Sequence, residues 1–257
     1  MMIGLIAAMP EERRPLLRRL HGWEKCRVGS FPGWRFNLAG RDCLLVQSGI
    51  GLTRAGDAAR ALITAAHPSL LVSFGVAGAL KDGLRIGDVV ALRSAALLDL
   101  DLPASAALLA TLSPASLDAA AHALQPHGAQ LRSGAAFTTR GSQTVQFEPP
   151  EPENPLLEME TAAIAQAAAA STIPLLALRG VSDNPQHPLP IDPAMVMDDN
   201  YHLLPGKLIQ LLVRHPGILF QAGRFSRSTA LAAENAAIAV IAALSQDPIT
   251  EGEDPSQ

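Results

Sequence analysis

Three short, unbroken apolar runs, each followed at once by turn-forming residues, restrict this chain more than anything else in it. They are Met2-Ile3-Gly4-Leu5-Ile6-Ala7-Ala8-Met9 before Pro10, Leu70-Leu71-Val72-Ser73-Phe74 before Gly75, and Pro174-Leu175-Leu176-Ala177-Leu178-Arg179-Gly180-Val181 before Ser182-Asp183-Asn184. Runs this short, without polar alternation, suit strands buried on both faces. Helix-length stretches lie between them: Pro10 to Leu20, Leu52 to about Ala66, Pro114 to Leu124 and the alanine run after Thr161. Strands alternating with helices predict one α/β domain. Its expected extent is residues 1–244, followed by a polar, acidic, frayed tail at 245–257.

The remaining segments fit this plan. Trp34 to Leu38 and Cys43 to Gln47 read as paired strands, and Gly87-Asp88-Val89-Val90-Ala91-Leu92 as a turn and strand. Arg132 to Thr139 reads as another strand, and Arg140 to Pro155 as a loop in which Pro149, Pro150 and Pro152 exclude regular structure. Leu156 to Thr161 opens the alanine-rich helix. Pro185 to Pro193 is a proline-punctuated loop, and His202–Val213, Ile218–Ala222 and Ser226–Leu244 read as C-terminal helices.

Bulk properties exclude several classes of function. At 257 residues with a net charge of -4, the chain has no basic surplus, so nucleic acid is not an expected partner. Cys26 and Cys43 form neither a metal-ligand spacing nor a disulfide framework, which fits reduced thiols and a cytoplasmic setting. The N-terminal apolar run is too short for a signal peptide and has no basic leader. No apolar run is expected to be long enough to span a bilayer. No metal or cofactor site is expected, since His, Asp, Glu and Cys show no ligand spacing. His187 and His202 are read as loop histidines.

The candidate chemistry is carboxylate chemistry. Glu12 follows the first strand, Glu160 sits in Leu156-Leu157-Glu158-Met159-Glu160-Thr161, and Asp183 ends the last apolar run. Open α/β sheets bind ligands at the carboxyl ends of their strands, where all three carboxylates are predicted. Acidic residues in a first helical turn also have a plain electrostatic explanation. Converging carboxylates suit a reaction that develops positive charge, such as glycosidic cleavage: a protonated one donates to the leaving group and an ionised one orients water. Two glycine segments, Ser48-Gly49-Ile50-Gly51 and Gly75-Val76-Ala77-Gly78, would line the same crevice with backbone. Neither is a dinucleotide fingerprint or a P-loop.

Seven segments in one order carry a resemblance: Ile3 to Met9 with Glu11-Glu12, Ser48 to Gly51, Gly75 to Gly78, Gly87 to Val90, Ser133-Gly134-Ala135-Ala136-Phe137, Glu158 to Glu160, and Ser182-Asp183. Together they resemble the nucleoside phosphorylase and nucleosidase superfamily, most of all its methylthioadenosine/S-adenosylhomocysteine nucleosidases. The resemblance implies a three-layer domain with a mixed twisted sheet. It implies cleavage of the N-glycosidic bond of a 5′-modified adenosine, with Asp183 as the acid at purine N7 and Glu12 orienting water. Glu160 then holds the ribose hydroxyls, Met159 packs on the sugar and Phe137 stacks on the base. The Thr138 backbone meets the purine edge, Val76 belongs to the backbone lining, Ser182 supports the Asp183 loop, and a homodimer is expected. Glu158 is assigned only a supporting or helix-start role.

Three readings follow: a nucleosidase, a purine or uridine nucleoside phosphorylase, or a non-catalytic nucleoside binder. The related phosphorylases place Arg before the central glycine segment, where Leu71 to Phe74 has none, and Glu12 would repel phosphate. Arg13, Arg14 and Arg54 are read as exposed helix arginines. Two departures stand out. Ala135 replaces a common Asp, and the segment after Asn184 is long, like that of hopanoid-associated members that act on adenosylhopane.

Overall fold

The computed structural model describes residues 2–98, 106–139, 153–188 and 218–249. In chain order these form β1 (Met2–Ala7), α1 (Pro10–Arg18), β2 (Glu24–Val28), β3 (Phe31–Leu38), β4 (Arg41–Gln47), α2 (Leu52–Ala66) and β5 (Leu70–Ala79). There follow β6 (Val89–Leu98), β7 (Ala106–Leu108), α3 (Pro114–Leu124), β8 (Leu131–Thr139), β9 (Pro155–Glu158), α4 (Thr161–Ala170), β10 (Leu175–Asp183) and α5 (Ile218–Leu244).

The strands make one mixed sheet in the order β10-β6-β8-β9-β5-β1-β4-β3-β2, with β7 beside β6. A further pairing of β10 with β5 curls one half of the sheet back on itself. The expected α/β architecture is therefore the observed one. Helices pack on both faces because the buried strands are apolar on both. On one face Ile3, Leu5, Val72, Phe74 and Leu178 meet Leu16 and Leu17 of α1, Leu124 of α3 and Val240 of α5. On the other, Ile6, Leu44, Val46, Leu71 and Val181 meet Leu62 of α2 and Ile164 of α4.

Local chemistry sets the helix starts. Ser113 caps α3 by accepting from the Ser116 amide, and Pro114 fills the first helical position. Helix α5 lies so close to β10 that a Cβ on Gly180 would come within 2.1 Å of the Ala232 carbonyl oxygen. Asn235 Nδ2 donates to Gly87 O at 2.7 Å, and Glu234 pairs with Arg18 at the end of α1 and with Arg19 just after it, so α5 is tied into the domain.

Several expectations are corrected. The segment Gly75–Gly78 is not a turn, because β5 runs unbroken to Ala79. Pro155–Glu158 is a strand, paired with β8 and β5, so Glu158 ends a strand and α4 starts at Thr161. The exposed strand β2, which pairs with β3, was not anticipated. Ile218–Ala222 and Ser226–Leu244 are one helix, running through Gly223. Within it Gly223–Leu244 is long and apolar enough to cross a membrane by length and composition, against expectation, although half of that window is buried inside the protein. The start of the expected frayed tail is anchored: Arg41 pairs with Asp247 at 2.7 Å, and Ile249 bridges to Leu112. Most of the Arg140–Pro155 loop, the end of the 185–193 loop, the 202–213 helix with His202, and residues 250–257 lie outside the described residues.

Candidate active site

Glu12 is placed by its own helix start. After β1 the chain turns at Ala8 and Met9, and Pro10 begins α1. One carboxylate oxygen of Glu12 accepts from the amides of Ala8 (2.8 Å) and Met9 (2.9 Å), the other from the amide of Val76 (2.9 Å) on β5. The carboxylate lies against bare backbone: a Cβ on Gly75 would stand 2.2 Å from Glu12 Oε1. Burial raises the Glu12 pKa, opposed by the Met9 and Val76 amides, the Arg179 guanidinium and the Ala8 amide.

Glu160 approaches from β9 and α4. Gly51, at φ +99° before α2, donates its amide to Glu160 Oε1 at 2.9 Å, and the Met159 amide reaches Oε2 at 3.3 Å. Here a glycine's positive φ is required, because the turn aims a helix N-terminus at a carboxylate. Burial, then the neighbouring Glu158 charge, push Glu160 up to about 8. The Gly51 amide lowers it, Glu12 raises it and Arg179 lowers it, in decreasing order of effect.

Arg179, only 3% exposed and absent from the sequence-based candidates, lines the same space as Glu12 and Glu160. Its Nη2 donates to Ser73 Oγ and Thr161 Oγ1, both at 2.8 Å, and to Glu158 Oε2 at 3.3 Å, while Nη1 reaches Leu178 O at 3.2 Å. The signal was visible: one arginine inside the run Leu175 to Val181. Arginine is almost never fully buried without a partner. Glu12, Ser48, Ser73, Glu160 and Arg179, with Ile6, Phe74 and Ile164, line a space of about 10 Å³. That is room for about one water molecule.

Asp183 does not line this space. It faces Gly78, three residues beyond the Gly75 that faces Glu12, roughly 10 Å along β5 by strand rise. A shift of register between Val181 and Asp183 puts a bulge at Ser182, a device that re-aims side chains. Ser182 Oγ lies 2.6 Å from Asp183 Oδ1 and 3.2 Å from Ala77 O. Burial raises the Asp183 pKa, and the Ser182 hydrogen bond opposes it. Asn184 secures the turn that follows: its Nδ2 donates to Leu84 O at 3.0 Å and its Oδ1 accepts from the His187 amide at 2.9 Å.

The other candidates fall around these groups. Val76 contributes its amide to Glu12. Met159 is half-buried and belongs to neither apolar cluster of the described residues. Phe137 and Thr138 are buried at the end of β8. The Thr138 hydroxyl pairs with Glu158 Oε1 and accepts from the Ala162 amide at 3.0 Å, and its backbone stands between β6 and β9. Of the arginines weighed for phosphate, Arg13 is not an exposed helix residue. Its guanidinium stacks 4.0 Å from the Trp34 ring centroid, and Nε donates to Gln47 Oε1 at 3.1 Å. Arg14 is exposed beside Glu11, and Arg54 is exposed near Gly49.

The class is defined by a mixed α/β sheet whose strand ends gather carboxylates around a buried guanidinium, and comparison with known proteins agrees. The family model described as the phosphorylase superfamily matches residues 2–201, and the chain belongs to that superfamily. Within it, the chain is 31% identical over 199 residues to a 5′-methylthioadenosine/S-adenosylhomocysteine nucleosidase of Haemophilus influenzae (strain PittEE), covering 71% of this chain and 86% of the relative. It is 29% identical over 196 residues to the Staphylococcus saprophyticus nucleosidase of the same name, with the same coverage. The fold is shared with the Neisseria meningitidis nucleosidase in complex with methylthio-immucillin-A, at TM-score 0.68 and 23% identity over 95% of this chain and 98% of that one. It is shared too with a futalosine hydrolase mutant of Helicobacter pylori, at TM-score 0.66 and 17% identity over 95% and 98%.

Proposed function

We infer that the protein is a nucleosidase: it hydrolyses the N-glycosidic bond of a 5′-modified adenosine and releases adenine. The observation that carries this reading is the space for about one water between Glu12, Ser73, Arg179 and Glu160, beside a carboxylate able to hold a ribose. Relatives about 30% identical over most of their length are nucleosidases named for methylthioadenosine and S-adenosylhomocysteine, which supports the same substrate class here.

The proposed mechanism uses three carboxyl groups. Glu160, ionised as pH rises through about 8, accepts hydrogen bonds from the 2′- and 3′-hydroxyls, its backbone donors already in place at Gly51 and Met159. Asp183, whose burial favours the protonated form, donates its proton to purine N7 as the C1′–N9 bond breaks and its electron pair moves to the base. Positive charge grows on the sugar, facing Glu12 and Glu160. Water held by Glu12 then attacks C1′ and passes a proton to that carboxylate. A base whose pKa has risen toward the working pH takes the proton more readily. Phe137, Met159 and Val76 complete the substrate lining, whereas Thr138, fully buried between β6 and β9, holds Glu158 instead of meeting the purine edge, and Ser182 holds Asp183.

Water is favoured over phosphate as the acceptor. Arg179 is already shared among Ser73, Thr161 and Glu158, and a phosphate dianion beside it would also face Glu12 and Glu160. The proposed assembly is a homodimer, resting on family resemblance alone. The test is base release from 5′-methylthioadenosine, adenosine, inosine and uridine. Adenine release from the 5′-modified adenosine at the highest kcat/KM is expected, and a preference for uridine would overturn the reading.

A further inference from the structure

The mechanism leaves an enclosed carboxylate beside the site without a task. Glu158 is 5% exposed, ends β9 and cannot reach a substrate because both of its oxygens are occupied. Oε2 accepts from the amides of Glu160 (3.0 Å) and Thr161 (2.8 Å), from the Thr161 hydroxyl (2.6 Å) and from Arg179 Nη2 (3.3 Å). Oε1 pairs with the Thr138 hydroxyl, which also accepts from the Ala162 amide. A helix cap alone would account for the two amides at the start of α4. It does not account for the link to β8 or for the buried guanidinium.

We propose that Glu158 is a positioning residue for the hydrolytic site: its carboxylate fixes Arg179 and the Glu160 backbone against the Thr138 end of β8. The geometry is that of a hub. Arg179 Nη2 has three side-chain acceptors, and two of them, Thr161 Oγ1 and Glu158 Oε2, are themselves joined. Glu158 thereby ties the group beside the water space (Arg179) to the ribose carboxylate and to the strand that carries Phe137. Rigid support of this kind matters because a misplacement of about 1 Å can cost about a hundredfold in rate.

The charge of Glu158 also acts on Glu160. The charged groups facing Glu160 are Glu158 from β9, Glu12 from α1 and Arg179 from β10, while α2 contributes the Gly51 amide. Glu158 opposes ionisation of Glu160, so its neutralisation moves that ionisation to lower pH.

This inference rests on the nucleosidase reading, and the experiment separates the two. Wild type and Glu158→Gln are compared for hydrolysis of 5′-methylthioadenosine across pH, with thermal unfolding recorded for both. Glutamine keeps the shape and an acceptor for the amides while removing the charge. Expected are a folded variant, kcat lower by about a hundredfold, and an acidic limb of kcat/KM displaced to lower pH. A folded variant that keeps the wild-type kcat, or whose limb stays at the wild-type position, overturns the proposal. If Glu158→Gln does not fold, Thr161→Val removes the hydroxyl joining Arg179 to Glu158 and keeps the charges. A kcat at least tenfold lower is then expected, and wild-type kcat in a folded Thr161→Val overturns the proposal. A wild type without any hydrolysis would overturn the functional reading and this inference with it.

Discussion

The bare backbone of Gly75 is the most exposed point of the proposed mechanism, because Gly75→Ala disturbs Glu12 without touching it chemically. A Cβ there would lie 2.2 Å from Glu12 Oε1, 2.6 Å from its Cδ and 3.1 Å from Oε2. Ordinary van der Waals contact begins at 3.4 Å, so the carboxylate must retreat by about 1.2 Å. Retreat breaks the 2.9 Å bond from the Val76 amide, which stands next to the added methyl group. A hydrogen bond to a charged group contributes about 1.5–3 kcal/mol, so a fall in melting temperature is expected along with the catalytic loss. Gly75 does not occupy the left-handed region, and alanine brings no backbone strain of its own. We predict a folded protein whose kcat for adenine release is about a hundredfold lower, while its affinity for adenine changes much less. Stopped-time assays of adenine, with calorimetric melting of the same samples, give both numbers. Wild-type kcat in folded Gly75→Ala would falsify the placement of Glu12 at the reacting atoms.

Three further outcomes are expected. Asp183→Asn retains the shape of the acid but cannot donate its proton, so turnover should fall by about 10²–10⁴-fold while calorimetry still detects nucleoside binding. Burial holds the folded Glu160 carboxyl at about 8, against 4.5 for an ordinary glutamate, so its contribution to stability is complete below pH 4.5 and is lost as pH rises through 8. The unfolding free energy should therefore decline across that window by up to about 1.4 kcal/mol per pH unit at fixed temperature, seen as a falling melting temperature, and Glu160→Gln should flatten the decline. Burial pushes the Cys43 thiol up to about 12, so a disulfide reagent at pH 8 should modify half-buried Cys26 first and reach Cys43 only on unfolding.

How far these features could be read from the residues varies with their physical origin. The limits of α2 and α3 were legible because glycine and serine-proline starts are local chemistry. So were the strand positions of Asp183 and the approach of Glu12, since both follow apolar runs. The nature of Gly75 and Gly78 was not. Glycines after an apolar run suggest a turn, whereas here they make room for the carboxyl groups of Glu12 and Asp183 beside an unbroken strand. Strand β9 was hidden for a similar reason: Leu156, Leu157 and Glu158 favour helices locally, and only pairing with β8 and β5 extends them. Gly223 suggested a break in the last helix, but a single exposed glycine costs about 1 kcal/mol, and the buried face of α5 outweighs it. Arg179 shows the opposite case, a charge legible inside a strand whose meaning required the three-dimensional placement of Ser73, Glu158 and Thr161. All three carboxylates were expected to converge; of Glu12 and Asp183, only Glu12 lines the space that Glu160 lines.

The most direct measurement of the central claim is the sugar product formed from 5′-methylthioadenosine in phosphate-free buffer, analysed by mass. Hydrolysis at the Glu12 and Arg179 space predicts free adenine and free 5-methylthioribose in equal amounts, with no gain in rate when phosphate is added. Product that forms only with phosphate, as a sugar phosphate, would contradict the account.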